Sequence, residues 1–276
     1  MNRRDIFNQI IHKKSYLCIG LDTDPEKIPP HLLDYADPVY EFNRAIIDAT
    51  ADLCVAYKPN LAFYECLGTA GWNSLQKTMR HIPESIFTIA DAKRGDIGNT
   101  SAMYARAFFE QMDFDAVTVA PYMGADSVKP FLEFRDKWVI LLALTSNPGA
   151  ADFQMNRLQD GTLLYEQVMT TALEWSTLEQ LMFVCGATKA EQFGRLRELA
   201  PGSFFLVPGV GAQGGDLRSL SGAGMNELCG LLVNSSRQIL YASPGKDFAD
   251  AARAEALRVQ QEMSALLKQR FPELMS

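Results

Sequence analysis

The sequence predicts an α/β fold in which eight parallel strands, each followed by a helix, close into a (β/α)8 barrel. Eight short apolar runs, rich in β-branched and aromatic residues, alternate with segments whose apolar residues recur at helical spacing. The chain of 276 residues has the usual length of one such barrel, and no low-complexity linker divides it. We therefore expect a single domain over 1–276, with an open, doubly wound sheet as the competing arrangement.

The alternation of the two patterns places the strands and several of the helices. Strands are expected over 16–21, 55–58, 87–90, 116–120, 139–144, 181–185, 204–207 and 231–233. Helices are expected over 40–53, 101–111, 162–175, 191–199 and 249–268. The helix after Val119 is expected to be interrupted at Pro130, because proline lacks the N–H that a helix interior needs. This order of elements requires a mostly parallel sheet covered by helices.

Composition and charge exclude several classes of function. Apolar residues make up 47% of the chain and charged residues 21%, which is ordinary for a globular protein. The net charge of −7, without a basic cluster, argues against a nucleic-acid surface but leaves room for an anionic small ligand at a locally positive site. The longest apolar stretch, 138–144, is too short to span a bilayer, and the N-terminus lacks a signal-peptide pattern. We expect a cytoplasmic protein without membrane association.

The five cysteines do not form a recognisable metal or disulfide pattern. They are scattered singly, their number is odd, and no C-x-x-C or Cys/His spacing occurs. Reduced thiols, mostly buried, are the expected state, and metal ligation is the disfavoured alternative.

Three titratable residues with D-x-K-x-x-D spacing follow the third predicted strand. If 87–93 is extended, Asp91 and Lys93 point to the same face, and Asp96 follows in the turn. Burying such a group is costly unless its members satisfy one another or a ligand. Active sites of (β/α)8 barrels lie at the carboxyl ends of the strands, so the sequence predicts the chemistry here.

Two further charged residues end neighbouring strands. Lys58 closes the second strand and Asp22 follows the first. Taken alone, each has an ordinary interpretation: an exposed lysine that buries only its stem, and a turn or N-cap aspartate. The barrel brings both to the mouth that also holds Asp91 and Lys93, where alternating charges keep one another ionised without a metal.

A glycine-rich segment and an arginine predict a phosphate site. The run 207–216, VPGVGAQGGD, follows the seventh strand, and Arg237 follows the eighth. In barrels these two loops commonly bind phosphate through backbone N–H groups, although glycine-rich loops also serve simply to turn the chain. The run matches neither the P-loop nor the dinucleotide fingerprint.

A nucleophilic serine is not supported. Ser146 lies in TSNPG after the fifth strand, without a G-x-S-x-G elbow, and the three histidines fall outside the strand ends. Ser146 is expected to bond to a ligand or to form a turn, and the chemistry is expected to depend on lysine and aspartate.

The segment 91–100, DAKRGDIGNT, resembles the signature of the orotidine 5'-phosphate decarboxylases. The resemblance covers nearly the whole chain, because Asp22, the KPN of 58–60, the SNPG of 146–149, the PGVGAQGG of 208–215 and Arg237 follow in the family's order. Ser236 stands before the arginine where the common family pattern has glycine, which is similar to the bacterial branch with the larger subunit. The resemblance implies a cofactor-free, metal-free homodimer that converts orotidine 5'-monophosphate (OMP) to uridine 5'-monophosphate (UMP) and carbon dioxide, the last step of pyrimidine synthesis.

The resemblance also implies a role for each matching residue. Lys93 corresponds to the proton donor, and Asp91 lies where the substrate carboxylate would press. The other positions contact substrate or cross the dimer interface. The ribose positions are Asp22 and Lys58, and the pyrimidine and phosphate positions are Ser146, Pro208, Gln213 and Arg237. The positions that cross the interface are Asp96, Ile97 and Thr100, and Asp96 is implied to be catalytic, since it would help keep the Lys93 of the neighbouring site charged.

Three other functions compete with this interpretation. Metal-dependent barrel enzymes acting on sugar phosphates share the D-x-K-x-x-D element but place an acidic residue where Lys58 stands. A Schiff-base aldolase is disfavoured, because Lys93 between two carboxylates stays protonated and weakly nucleophilic. A nucleotide-binding barrel without activity would need the charged array to be only a structural ion network.

Overall fold

The computed structural model describes residues 1–186, 190–209 and 216–275, and shows a closed barrel of eight parallel strands. Each strand pairs with the next along the chain, and β8 returns to β1 with Leu17 opposite Val233. This order confirms the predicted (β/α)8 barrel and shows that the open sheet is wrong.

All eight strands lie where the sequence predicted them, with ends shifted by a few residues. Their bounds are Leu17–Leu21 (β1), Ala56–Pro59 (β2), Phe87–Arg94 (β3), Ala116–Val119 (β4), Trp138–Leu144 (β5), Leu181–Cys185 (β6), Phe205–Pro208 (β7) and Leu231–Ser235 (β8). Most strand residues are buried, because the helices cover the outer face and side chains fill the interior. The largest difference is β3, which extends four residues beyond the expected end and carries Asp91 and Lys93.

The helices cover the barrel. Their bounds are Arg3–Lys13 (α1), Pro38–Thr50 (α2), Ala62–Glu65 (α3), Gly68–His81 (α4), Gly98–Arg106 (α5), Ala125–Leu132 (α6), Leu164–Leu173 (α7), Ala190–Leu199 (α8), Leu217–Gly224 (α9), Arg237–Leu240 (α10) and Phe248–Arg270 (α11). A π-helical turn, Ala107–Gln111, continues α5. No helix in the described part of the chain is both long and apolar enough to cross a membrane.

The first helix packs against the amino-terminal end of the barrel. A capping box starts it: the Asn2 side chain accepts a hydrogen bond from the Asp5 N–H, and the Asp5 side chain accepts one from the Asn2 N–H. The indole of Trp138, at the start of β5, donates to the Met1 carbonyl at 2.8 Å, and Arg3 donates to the Gly202 carbonyl ahead of β7 at 2.7 Å. Because the strands are parallel, all their carboxyl ends lie on the opposite face, which α1 does not cover.

The expected interruption of the helix after Val119 is wrong. Pro130 lies inside α6, near the end of this eight-residue helix. Its ring is buried together with Val128 and Phe131, and the Ser127 hydroxyl contacts the Ala120 carbonyl at 3.3 Å. The packing of this short helix outweighs the loss of one intrahelical hydrogen bond.

Candidate active site

Asp91, near the carboxyl end of β3, holds a lysine on each of its carboxylate oxygens. Its Oδ2 lies 2.6 Å from Lys58 Nζ on β2, and its Oδ1 lies 2.6 Å from Lys93 Nζ. Lys58 is almost completely buried, whereas about half of the Lys93 side chain is exposed. The structure thus brings together three of the charged residues that the sequence placed at the mouth of the barrel.

The array is stable only with its members charged. Burial acts to lower the pKa of Lys58, but the adjacent carboxylates of Asp91 and Asp22 outweigh burial and raise it. Burial acts to raise the pKa of Asp91, but Lys58 and Lys93 outweigh it and lower that pKa to about 2. At neutral pH Asp91 is therefore a carboxylate and Lys58 an ammonium.

An irregularity in β3, rather than simple alternation, sets the position of Lys93. The register between β3 and β4 shifts between Ala90 and Arg94, and Lys93 has the left-handed φ of 46°. The N–H groups of Ala92 and Lys93 donate to the hydroxyl of Thr118 on β4, at 3.0 and 2.8 Å. The sequence correctly predicted that Asp91 and Lys93 meet, but a bulge produces the contact where a regular strand was expected.

Two tyrosines fix the backbone around Asp22, which follows β1. The Tyr64 hydroxyl donates to the Leu21 carbonyl at 3.0 Å, and the Tyr241 hydroxyl donates to the Asp22 carbonyl at 2.9 Å. Tyr241 also accepts the Asp24 N–H at 2.8 Å. The Asp22 Oδ1 is buried and has no hydrogen-bond partner among the residues that the structure describes. An acceptor buried without a donor, beside Lys58, suits a ligand that brings a hydroxyl group.

A cavity of about 190 Å³ opens beside this array. It joins the charged wall formed by β1–β3 to the loops after β7 and β8. The described residues that line it are Asp22, Lys58, Asp91, Pro208, Gly209, Asn234, Ser235, Ser236, Arg237 and Gln238. Five residues singled out from the sequence, namely Asp22, Lys58, Asp91, Pro208 and Arg237, therefore share one cavity.

The predicted phosphate side is described in part. Arg237 is the exposed first residue of α10, whereas Gln213 and the rest of 210–215 lie outside the described residues. Gly20 on β1 allows the start of α10 to approach, since an added Cβ would lie 1.8 Å from Ser236 Oγ. Arg237 is thus held at the cavity by a contact that only glycine permits.

Asp96, Ile97 and Thr100 lie beyond the cavity of their own chain. Asp96 and Ile97 precede α5 and Thr100 lies in its first turn, and both Ile97 and Thr100 are exposed. The Asp96 carboxylate accepts the Ile97 N–H at 2.8 Å and forms no ion pair with any residue that the structure describes. Within one chain, these three residues do not join the charged array.

Ser146 lies at the end of β5, half-buried and outside the cavity lining. The backbone of β6 passes very close to it, because a Cβ added to Gly186 would lie 2.6 Å from the Ser146 nitrogen. Its hydroxyl makes no hydrogen bond to the described residues, so it is available to a ligand.

Two cavity residues and one supporting residue received no role from the sequence. The sequence does not single out Asn234, and Ser236 is noted there only as the residue before Arg237. In the structure the Asn234 amide donates to Ser236 Oγ at 3.1 Å, and both residues line the cavity. Thr118 lies within the apolar run AVTV, which gives no signal of its contacts with Ala92 and Lys93.

Comparison with known proteins agrees with this geometry. The sequence model of the orotidine 5'-phosphate decarboxylase / HUMPS family matches residues 15–252. The orotidine 5'-phosphate decarboxylase of Flavobacterium johnsoniae is 60% identical over 274 residues, which cover 98% of this chain and all of the relative. The enzyme of the same name from Bacteroides fragilis is 57% identical over 271 residues, covering 97% of this chain and 99% of the relative.

A solved structure shows the same arrangement of elements. The structure of Leishmania donovani OMP decarboxylase superposes with a TM-score of 0.83 at 35% sequence identity, covering 96% of this chain and 98% of that one. Fold and site together define a (β/α)8 barrel with a lysine–aspartate array at its carboxyl-terminal mouth. The chain belongs to the orotidine 5'-phosphate decarboxylase / HUMPS family.

Proposed function

We propose that the protein converts OMP to UMP and carbon dioxide, the last step of pyrimidine synthesis. The observation that carries the proposal is Asp91 held between the ammonium groups of Lys58 and Lys93, 2.6 Å from each, at the mouth of the barrel. Family membership and relatives named orotidine 5'-phosphate decarboxylase support it over nearly the full chain.

Lys93 is the proposed proton donor. Loss of carbon dioxide leaves a carbanion on a pyrimidine carbon that has no adjacent electron sink. A fixed ammonium stabilises such a charge as it develops and then delivers the proton to the same carbon. Lys93 suits this role because its side chain is half-exposed at the mouth and its charge is fixed against Asp91.

Asp91 and Lys58 form the fixed part of the proposed machinery. Asp91 lies where the departing carboxylate of the substrate would approach, and its low pKa keeps it ionised. Lys58 balances that charge from the buried side, so Asp91 stays in place when Lys93 engages the substrate. Repulsion between Asp91 and the substrate carboxylate is relieved as carbon dioxide leaves.

The remaining residues are proposed to hold the ribose and the phosphate. The unpartnered Asp22 Oδ1 accepts a ribose hydroxyl beside Lys58. Arg237 offers a planar guanidinium to the phosphate, and Pro208 lines the same cavity. Gln213, which the family resemblance assigns to the same group of contacts, lies outside the described residues. Phosphate binding far from the reacting carbon lowers the barrier when its energy organises the site.

A decarboxylation assay tests the proposal. Purified protein treated with EDTA is mixed with OMP, and the loss of OMP absorbance and the formation of UMP are followed. We expect metal-free turnover that falls more than about 100-fold in Lys93→Ala, because the general acid and the charge beside the carbanion are both lost. Lys137→Ala is the matched control, since Lys137 pairs with Asp113 at 2.7 Å on the opposite end of the barrel.

The same assay separates the competing functions. Turnover that EDTA abolishes and a divalent metal restores would favour the metal-dependent sugar-phosphate enzymes. Lys58 argues against that group, because its ammonium occupies the position of an acidic residue there. UMP binding without OMP turnover would leave a nucleotide-binding barrel, and trapping of Lys93 by borohydride with a carbonyl substrate would support the aldolase.

We further propose that the protein is a homodimer in which Asp96 completes the site of the partner. Asp96 has no ion-pair partner among the described residues of its own chain, and Ile97 beside it is exposed. The rings of Tyr122 and Phe153, both exposed, lie 6.4 Å apart and tilted to each other on the same carboxyl-terminal face of the barrel. Exposed apolar groups on the face that carries Asp96 suit an interface between two copies.

Mixed dimers test this arrangement. Lys93→Ala and Asp96→Ala are each expected to be inactive, but a mixed dimer carries one intact site. Random pairing on co-expression then restores about a quarter of the wild-type activity. Co-expression of Lys93→Ala with Asp91→Ala is the control, because both residues belong to the same half-site and no mixed dimer is complete. Absence of recovery in the first pair would contradict a shared site.

A cytoplasmic location is also part of the proposal. All five cysteines are free thiols, and four of them are buried. Burial raises the pKa of Cys54 and of Cys229 to about 12, so these thiols stay protonated and unreactive at neutral pH. Free thiols in this number are typical of a reducing compartment.

A further inference from the structure

The backbone at Lys93 has a conformation that is intrinsically unfavourable and needs contacts from other residues to be stable. Lys93 has a φ of 46°, a left-handed value that costs a residue with a side chain roughly 1–2 kcal/mol. The bulge also removes the N–H groups of Ala92 and Lys93 from the regular ladder with β4. Something outside β3 must therefore satisfy these groups and keep the bulge in place.

A single buried hydroxyl satisfies both N–H groups. Thr118 Oγ1 accepts from the Ala92 N–H at 3.0 Å and from the Lys93 N–H at 2.8 Å. Its own hydrogen faces Asp91 Oδ1 at 3.2 Å. Thr118 is completely buried between Val117 and Val119, so water cannot replace it. One oxygen thus contacts the carboxylate of Asp91 and the peptide N–H groups on both sides of Ala92.

The carbonyl side of the bulge is held by Arg94. Its guanidinium donates to the Ala92 carbonyl at 3.1 Å and pairs with Glu65. The same group lies over the rings of Tyr104 and Phe108, 5.3 and 5.4 Å from their centroids. A guanidinium fixed by an ion pair and two aromatic rings is a rigid donor.

We propose that Thr118, assisted by Arg94, is a positioning residue that holds the Lys93 ammonium in its reactive place. The inference rests on the proposed decarboxylation for its effect on turnover. Its structural part, that the Thr118 hydroxyl maintains the left-handed backbone at Lys93, is independent of the reaction. Neither residue lines the cavity that contains Asp22 and Arg237, so we expect their substitution to affect turnover more than substrate binding.

Two substitutions at position 118 separate the hydroxyl from the volume of the side chain. Thr118→Val keeps the shape and removes the acceptor, and Thr118→Ser keeps the acceptor. We expect kcat to fall about 100-fold in Thr118→Val, because displacing a catalytic group by about 1 Å has that effect. KM is expected to stay within about twofold, and Thr118→Ser is expected to recover most of the lost kcat.

Thr88→Val is the matched control. Thr88 lies near the other end of β3, is buried, and exchanges hydrogen bonds with Asp115 at 2.9 and 3.0 Å. Its loss is expected to lower stability without changing kcat. If Thr118→Val does not fold, Arg94→Lys replaces it as the test variant. Lysine keeps the positive charge opposite Glu65 but cannot also reach the Ala92 carbonyl. In this variant kcat is again expected to fall while KM is preserved.

Amide hydrogen exchange supplies a measurement that needs no substrate. In the ligand-free protein, the Ala92 and Lys93 amides are expected to exchange about tenfold faster in Thr118→Val than in wild type or Thr118→Ser, the effect of one lost hydrogen bond. Unchanged exchange, or equal kcat losses in Thr118→Val and Thr118→Ser, would overturn the inference. The two proposals can fail separately. If the Ala92 and Lys93 amides exchange faster in Thr118→Val but the wild-type protein does not decarboxylate OMP, the positioning role of Thr118 is supported and only the proposed function is refuted.

Discussion

Replacing Lys58 by methionine is expected to destabilise the protein far more than the same change at Lys93, although both lysines contact one carboxylate. The side chain of Lys58 is 6% exposed and that of Asp91 is 11% exposed, whereas Lys93 is 52% exposed. Removing one partner of a buried ion pair costs about 3–5 kcal/mol, because the other charge remains without compensation. A solvent-exposed pair contributes only about 0–1 kcal/mol.

The pKa of Asp91 measures the net effect of burial, which raises it, and of Lys58 and Lys93, which together lower it. Its displacement from 3.8 to about 2 corresponds to roughly 2.5 kcal/mol of stabilisation at neutral pH. This value is smaller than the cost of removing Lys58, since that change also leaves Asp22 without its cation. The larger range applies to Lys58→Met, so we expect a difference of about 2–5 kcal/mol in unfolding free energy between the two methionine variants.

Urea unfolding measures this difference. At pH 7 the Lys58→Met midpoint is expected well below that of Lys93→Met, at similar m-values. Because the folded-state pKa of Asp91 is depressed, its contribution is present above about pH 4 and is lost as the pH falls towards 2. The difference in stability between Lys58→Met and Lys93→Met is therefore expected to become smaller as the pH falls from about 4 towards 2. Equal stability of the two variants at pH 7, or a gap independent of pH, would refute the assignment of Lys58 as the buried counter-ion.

Two further substitutions test the phosphate side of the cavity. Arg237→Ala is expected to lower kcat/KM for OMP by a factor that corresponds to several kcal/mol of transition-state stabilisation, at about 1.4 kcal/mol per tenfold. The turnover of orotidine, which lacks the phosphate, is expected to stay unchanged. Equal losses of kcat/KM for both substrates would contradict a role of Arg237 in phosphate binding. Gly20→Ala places a Cβ 1.8 Å from Ser236 Oγ, so we expect a loss of about 1–3 kcal/mol in unfolding free energy and a higher KM for OMP. An unchanged KM in a destabilised Gly20→Ala would limit this contact to folding.

The strands were predictable because each is an apolar run buried on both faces. Helices were predictable only where their buried face is apolar. The buried face of α4 consists of small and polar residues, Gly71, Ser74, Leu75 and Thr78. That face packs so closely that a Cβ on Gly71 would lie 1.9 Å from the Tyr64 carbonyl oxygen. Apolar periodicity gives no sign of such a helix. The first helix, α1, was also not predicted, although Asn2 and Asp5 have the spacing of the capping box that starts it.

The residues of the site likewise fall into those that the sequence predicts and those that it does not. Charged residues at the ends of apolar runs are visible in the sequence, and the barrel determines that Lys58, Asp91 and Lys93 meet. The bulge at Lys93 is not visible, because no residue type marks a left-handed conformation of a lysine. Thr118 is hidden for a related reason: threonine is a good strand residue, so AVTV predicts only a strand. A role for Asp96 depends on a second copy, which a single sequence does not describe.

The two lysines of the array have different tasks because they lie in different environments. A carboxylate bound to one lysine would lose its counter-ion whenever that lysine turned to the substrate, and the cost would fall on the reacting state. Asp91 avoids this cost because Lys58 remains on its other oxygen, buried and 2.6 Å away. In the proposed mechanism, Lys93, half-exposed on its bulge, can then share its charge with a reacting carbon without leaving Asp91 uncompensated. The proposed carbanion would thus meet an ammonium that is in place before substrate binds, as electrostatic preorganisation requires.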